Sequence, residues 1–170
     1  YHLSETSRIK SVRIARNNPF LAQENDCIYY RATGILAVIV GTKKSMTLPE
    51  GVRYISDVHS QVGKEIERLV IPASFKAFKT NQCLVKGINI GSEGAVEFLS
   101  ATPPRVEKKG KKMPLSAGCF LIVPKEGVKA YKRWYKMVEN PGEKLSTIIK
   151  GDRACIIEKY FESELAYKKL

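Results

Sequence analysis

The sequence predicts a single α+β domain in which a largely antiparallel, mixed sheet packs against two or three helices. Short stretches rich in Ile, Val, Tyr and Phe are separated by turn signals, and few segments have helical periodicity. Strands and helices do not alternate strictly, so a doubly wound βαβ fold is not expected. With 170 residues, of which 44% are apolar, the chain can bury a core without metal or disulfide staples.

The first third of the chain contains strand patterns. Residues 4–16 fit neither the helical nor the strand period consistently, because Ile9 and Val12 have helical spacing whereas Val12 and Ile14 have strand spacing. Residues 27–40 predict two adjacent strands or one long bent strand at the centre of the sheet. A short strand at 52–55 follows between two turn signals.

The clearest helical pattern covers residues 56–69. Its apolar residues recur at steps of three and four: Val58, Val62, Ile66 and Leu69. After Pro72, residues 74–79, 83–90 and 96–99 predict strands, with Gly91–Gly94 as the turn of a hairpin.

The last third predicts a strand, a helix and a hairpin. Residues 119–123 read as a buried strand, and residues 127–138 as a basic helix. Residues 145–149 and 154–160 predict a hairpin, followed by a short helix from Ser163.

The net charge is the strongest indication of function. The chain has 29 Lys and Arg residues against 17 Asp and Glu residues, so its formal net charge is +12. Such an excess favours a polyanionic partner, above all nucleic acid. The basic residues form three clusters: Arg8, Lys10, Arg13 and Arg16; Arg105, Lys108, Lys109, Lys111 and Lys112; and Lys125, Lys129, Lys132, Arg133 and Lys136.

The second cluster lies within residues 101–114, which contain three prolines and predict an exposed basic loop. Five positive charges and one Glu make this segment self-repelling, which suits a loop that becomes ordered on phosphates. We expect Arg105, Lys108, Lys109, Lys111 and Lys112 to act as a phosphate clamp.

The third cluster lies on the basic helix. Lys125, Lys129, Lys132 and Lys136 step by four, three and four residues, so they share one face, and Arg133 adds to the charge. Val128, Tyr131, Tyr135 and Val138 are expected to face the core, and Trp134 lies between the two faces as a candidate for stacking on bases. The alternative is that the aromatic residues belong to the core and the lysines form a solvated stripe.

The cysteines predict neither zinc binding nor disulfides. Cys27, Cys83, Cys119 and Cys155 contain no CxxC pair, and each begins an apolar run, as expected for small buried hydrophobic residues at the start of core strands. We therefore expect free thiols, no metal, no cofactor and an intracellular location in the nucleus or cytoplasm.

Signals for catalysis are weak. His2 and His59 are the only histidines, and neither has the context of a nucleophile–base pair. A metal-dependent nuclease would use carboxylates among Asp57, Glu93, Glu97 and Asp152, which are spread over separate elements.

Parts of the C-terminal third resemble a viral domain. Phe120–Glu126, Gly142–Lys144 and Ile148–Asp152, with Lys159 beyond, are similar to stretches of the basic RNA-binding domain of the cap-binding polymerase subunit of influenza-like viruses. The similarity identifies no family. It implies a component of viral replication or transcription.

Residues 1–170 are therefore expected to form one basic domain, excised from a larger replication, transcription or recombination protein, since the chain begins with Tyr1. The predicted function is non-catalytic binding of RNA or DNA, with other subunits of an assembly as further partners and no membrane contact. The alternatives are a metal-dependent nuclease and a protein-interaction module for an acidic partner.

Overall fold

The computed structural model describes residues 11–40, 43–56, 66–79, 90–107, 120–138, 144–159 and 164–170. The strands are β1 (Leu21–Glu24), β2 (Cys27–Tyr30), β3 (Leu36–Ile39), β4 (Ser45–Thr47), β5 (Tyr54–Ile55), β6 (Ile66–Ile71), β7 (Ala77–Phe78), β8 (Ile90–Phe98), β9 (Arg105–Val106), β10 (Phe120–Pro124), β11 (Leu145–Lys150) and β12 (Arg153–Glu158). The helices are α1 (Val128–Val138) and α2 (Glu164–Lys169). The protein is α+β, as the sequence predicts.

The central feature is a stack of parallel strands. β4, β6, β8 and β10 lie side by side in a six-stranded sheet of order β11-β12-β10-β8-β6-β4. Their register aligns one buried apolar residue from each strand: Met46, Leu69, Val96 and Leu121. These positions recur roughly every 25 residues, which is the period of solenoid proteins.

A second sheet completes the stack. β5, β7 and β9 pair in parallel and in chain order, and Ile35 extends this sheet by a parallel bridge to Tyr54. The chain thus alternates between the two sheets from β4 to β10, and each circuit forms one coil of a short β-solenoid. Pro49 and Pro72 lie in the turns that follow β4 and β6, and Pro124 is the last residue of β10.

The prediction of a largely antiparallel sheet was wrong. Among the described strands, antiparallel pairing is confined to the β1–β2–β3 meander and to β10, β12 and β11, whereas the solenoid strands pair in parallel. The predicted turn at Gly91–Gly94 lies inside the continuous strand β8. Two parallel strands require a crossover connection. In this fold each crossover contains a strand of the opposite sheet. Strands that pair are therefore not joined by a local turn, and the turn signals of the sequence did not reveal the pairing.

The described segments contain two α-helices, and the clearest helical pattern of the sequence is not one of them. The end of the predicted helix at 56–69 forms strand β6, where Leu69 and Ile71 face the core on alternate positions; residues 57–65 lie outside the described part of the chain. Pairing with strands on both sides outweighs the helical spacing of a few apolar residues. The predicted helix at 127–138, the C-terminal hairpin and the short terminal helix are confirmed by α1, β11–β12 and α2.

Separate elements close the two ends and the outer face of the solenoid. The β1–β2–β3 meander covers the first coil, and its turn has Asn25 and Asp26 at positive φ, as a tight hairpin requires. At the other end α1 packs Tyr131, Trp134 and Tyr135 against the main core cluster. On the outer face of the six-stranded sheet, α2 places Ala166 in a second cluster with Phe120 and Ile157.

Two of the four cysteines are free and buried, as predicted. Cys27 and Cys155 are fully buried in separate core clusters; Cys83 and Cys119 lie outside the described residues. Burial raises the pKa of the Cys27 thiol to about 12, and the charges of Asp26 and Glu24 add to the shift. Burial alone raises the pKa of Cys155 to about 12.

None of the helices in the described segments is long and apolar enough to cross a lipid bilayer.

We expect neither Cys27 nor Cys155 to react with iodoacetamide in the native protein at pH 8. The thiolate is the reactive form, and a raised pKa keeps both groups protonated at that pH. Mass spectrometry of tryptic peptides before and after unfolding in urea measures the labelling. Native labelling of either residue at the rate of a free thiol would contradict this prediction.

We also expect Gly127→Ala to lower the free energy of unfolding by about 1–3 kcal/mol, the usual cost of overpacking. A Cβ on buried Gly127 would lie 2.7 Å from the carbonyl oxygen of Ala101, so two backbone turns would have to separate. Urea unfolding monitored by circular dichroism gives the change. The control is Ala130→Ser on the exposed side of α1, which should change stability little; an equal loss in both variants would disprove the steric explanation.

Candidate nucleic-acid interface

The smaller solenoid sheet carries a group of basic side chains that the coils bring together. We call this group the basic sheet face. It consists of the basic residues Arg53, Lys76, Lys79 and Arg105, together with Tyr54, whose ring contacts Lys79. Arg53, Lys76 and Arg105 are exposed. The amide of Lys76 donates to the carbonyl of Arg53 at 2.8 Å, and the amide of Arg105 donates to the carbonyl of Lys76 at 3.0 Å. Arg53 and Lys76 immediately precede β5 and β7 and lie side by side, about 4.8 Å apart, whereas Arg105 is the first residue of β9, is aligned with Ala77 and is therefore offset by one position from Lys76.

The carboxylate of Glu107 lies within ion-pair distance of two of these cations. Lys79 Nζ lies 3.8 Å from Glu107 Oε2, and Arg105 Nη2 lies 3.9 Å from Glu107 Oε1. Lys79 Nζ also lies 4.1 Å from the centroid of the Tyr54 ring, a cation–π geometry. These contacts fix Lys79 and leave the face with an excess of positive charge. Arg53 and Lys76 form no ion pair with any carboxylate in the described segments.

Two carboxylates are buried and have their partners inside the fold. Glu97 and Glu158 are buried. Arg68 donates to Glu97 through Nε and Nη2, and Arg153 Nη2 lies 3.5 Å from the same carboxylate. Tyr135 donates its hydroxyl to Glu158 at 2.5 Å. Both carboxylates are thus paired inside the fold, whereas Arg53, Lys76 and Arg105 are exposed to water.

The structure places the residues of the predicted phosphate clamp as follows. Arg105 begins strand β9 and is exposed. Lys108, Lys109, Lys111 and Lys112 lie outside the described residues. The part of the predicted loop that the structure describes includes buried Pro104 and a paired strand, and the chain continues from Glu107 beside Arg105 and Lys79 into the four lysines.

The basic helix presents its predicted charges on the side away from the core. Lys125 in the preceding turn and Lys129, Arg133 and Lys136 on α1 are exposed, and Lys132 is half-buried. Because α1 closes the solenoid, its outer face must be polar whether or not a ligand binds there. The charge on α1 is therefore weaker support for a binding site than the charge on the basic sheet face.

Trp134 does not fit its predicted role as a stacking residue. It is only 9% exposed and belongs to the main core cluster. Its ring lies 5.7 Å from Phe98, 5.9 Å from Tyr131 and 6.4 Å from Phe78, measured between centroids. The correction has a physical reason: the open end of the solenoid needs a large apolar cover, and all three aromatic residues of α1 supply it.

The carboxylates proposed for a nuclease do not converge in the described segments. Glu97 is engaged by two arginines, and Asp152 lies exposed in the β11–β12 turn. Asp57, the Glu93 side chain and both histidines are outside the described part of the structure. Among the residues that the structure describes, no three His, Cys, Asp or Glu side chains are grouped to hold a metal ion.

Sequence reasoning missed Arg53, Tyr54, Lys76 and Lys79. Arg53 and Lys76 each follow a buried apolar residue, Val52 or Phe75, and stand four residues after the proline of their coil. This internal repeat is the signal that could have revealed them. It is weak because the coils differ in length and share few identical residues.

Comparison with known proteins identifies no relative. No family model matches the chain, and no curated protein or solved structure matches it significantly.

We expect the fluorescence of Trp134, the only tryptophan, to be blue-shifted in the native protein and insensitive to added oligonucleotide. A buried indole lacks the open face that a base needs for stacking. Emission spectra during a titration with single-stranded RNA or DNA test this, and the urea-unfolded protein is the reference for an exposed indole. Static quenching that follows binding would contradict the burial of Trp134.

Proposed function

We propose that the chain is a non-catalytic nucleic-acid-binding domain of a larger intracellular replication, transcription or recombination protein. The observation that supports this best is the basic sheet face, where Arg53 and Lys76 lie exposed just before β5 and β7 and Arg105 lies exposed at the start of β9. Exposed cations on three successive coils suit the repeated charges of a phosphate backbone.

The solenoid provides a reason for binding without catalysis. Stacked coils repeat one surface position at a fixed spacing, and repeat proteins use such surfaces to bind extended partners. The four lysines that follow Glu107 in the sequence add to the positive charge of this part of the chain. Release of counterions by these contacts would supply much of the affinity.

Two variants with the same change in charge test this proposal. Arg53→Gln/Lys76→Gln/Arg105→Gln removes three charges from the basic sheet face, and Lys129→Gln/Arg133→Gln/Lys136→Gln removes three from α1. We expect the first variant to bind nucleic acid more weakly and to reduce the slope of log K against log salt by about two to three, since each phosphate contact contributes about 0.7–0.9. The second variant should reduce the slope by less than the contribution of one phosphate contact.

Fluorescence anisotropy at several salt concentrations, with heparin as competitor, measures both variants. A third variant, Lys108→Gln/Lys109→Gln/Lys111→Gln/Lys112→Gln, should also reduce the slope, by an amount that corresponds to the loss of up to about four charges. Glu107→Gln should raise the affinity, because it removes the one carboxylate beside Lys79 and Arg105. Equal losses of affinity in the two triple variants would mean that net charge alone explains the binding. Equal affinity for heparin and nucleic acid would favour an acidic protein partner.

A further inference from the structure

We propose that two copies of this chain associate through strand β11, with β11 of one copy antiparallel to β11 of the other, so that the two six-stranded sheets join edge to edge. The inference goes beyond the proposed function and does not depend on it. β11 is the last strand on one side of the six-stranded sheet. A sheet edge carries backbone N–H and C=O groups that can pair with another strand.

The backbone groups of Leu145, Thr147 and Ile149 point away from the sheet. The amide of Lys159 donates to the carbonyl of Lys144 at 2.7 Å, so these two residues form a hydrogen-bonded pair that continues the β11–β12 ladder. Because hydrogen-bonded and non-bonded pairs alternate along an antiparallel ladder, the even-numbered residues of β11 bond to β12 and the odd-numbered residues turn their N–H and C=O groups outward. Within the described segments, no strand and no backbone hydrogen bond uses this outer side of β11.

β11 has little of the protection that natural sheet edges carry. It contains no proline, its register with β12 is continuous, and its only charged residue, Lys150, is the last one. The side chain of Ile149 is 52% exposed. β4, at the opposite edge of the sheet, has only three residues, and the two lysines before it pair with Asp26 and Glu67. β11 is therefore the edge better suited to pairing.

The charges at the ends of β11 select the register of a symmetric pair. Full overlap, centred on Thr147, would place Lys144 opposite Lys150 of the partner subunit twice. Like charges directly opposite each other destabilise an antiparallel pair. A pair centred on Ile148 avoids this contact and keeps the outward backbone groups of the two strands facing each other.

The register centred on Ile148 is complementary in charge. Lys144 and Asp152 each lie four residues from Ile148, so Lys144 reaches the partner's Asp152 in the turn after β11, on both sides of the two-fold axis. Both residues are exposed, and neither forms an ion pair within the described segments. A two-fold contact requires complementary groups of one chain at equal distances from the axis. This arrangement favours a second copy over an unrelated peptide.

The same register covers apolar side chains on both faces of the joined sheet. Ile148 packs against the second core cluster, which contains Cys155 and Ile157, and would meet Ile148 of the partner subunit. On the other face, exposed Ile149 would lie opposite the partner's Thr147. Each of these two Thr147–Ile149 pairs would exchange both of its backbone hydrogen bonds.

Sedimentation velocity of the nuclease-treated protein at several protein concentrations tests the inference. Physiological ionic strength is used, because charges more than about 8 Å apart are then largely screened and two basic chains repel each other less. We expect the mass to rise with concentration toward that of two chains. Lys144→Asp should raise the dissociation constant about tenfold, since each dimer loses two ion pairs and gains two contacts between like charges. The exchange Lys144→Asp/Asp152→Lys should restore the original association.

Lys129→Asp on the exposed side of α1 is the matched control, because it changes the net charge by the same amount as Lys144→Asp. A lower net charge reduces the repulsion between copies, so the control should associate at least as well as the original chain. Thr147→Pro removes one outward N–H and no hydrogen bond to β12, a position at which an edge strand accepts proline. We expect this variant to be monomeric and folded, which circular dichroism verifies.

A chain that stays monomeric at its highest soluble concentration would overturn the inference. A dimer that Lys144→Asp leaves intact would also overturn it, and so would an exchanged pair that does not restore association. If Thr147→Pro fails to fold, the charge exchange alone decides. Nucleic acid enters none of these measurements, so the proposed function stands or fails separately.

Discussion

Each coil of this solenoid exposes a row of backbone N–H and C=O groups and an apolar edge. The next coil forms hydrogen bonds with these groups and covers the apolar edge. The parallel registers of β4, β6, β8 and β10 align Met46, Leu69, Val96 and Leu121, and the same stacking pairs the short strands of the opposite sheet. Unpaired buried backbone groups are costly, so a single coil has no stable form. The fold therefore depends on stacking and on the elements that end it.

The two ends of the stack are closed in different ways. The β1–β2–β3 meander covers the first coil with an antiparallel sheet, and α1 covers the last coil with aromatic side chains. The hydroxyl of Tyr131 donates to the carbonyl of Ser100 at 3.0 Å, which anchors the helix to the preceding turn. Closure of this end buries Tyr131, Trp134 and Tyr135, and it explains why Trp134 is buried although Arg133 precedes it in the sequence.

The same stacking organises the charges. On the outer face of the six-stranded sheet, Glu97 is enclosed by Arg68 and Arg153, and Arg68 also donates to the carbonyl of Lys169 at the end of α2. A buried carboxylate of this kind must keep its partners, because an unpaired buried charge is strongly destabilising. On the smaller sheet, Arg53 and Lys76 pair with no carboxylate of the described segments. They lie exposed at equivalent positions of successive coils, which makes them available to a ligand with repeated phosphates.

Sequence alone determined the α+β class, the C-terminal hairpin, the helix at 127–138, the burial of Cys27 and Cys155, and the excess of positive charge. These features depend on local periodicity, turn chemistry and composition. Only the tertiary structure decided that β6 is a strand, that its neighbours run parallel, and that Trp134 lies in the core. It also brought Arg53, Lys76 and Arg105 together, although they are far apart in the sequence. Pairing between distant strands depends on which backbone groups meet when the coils stack, and no local pattern records that.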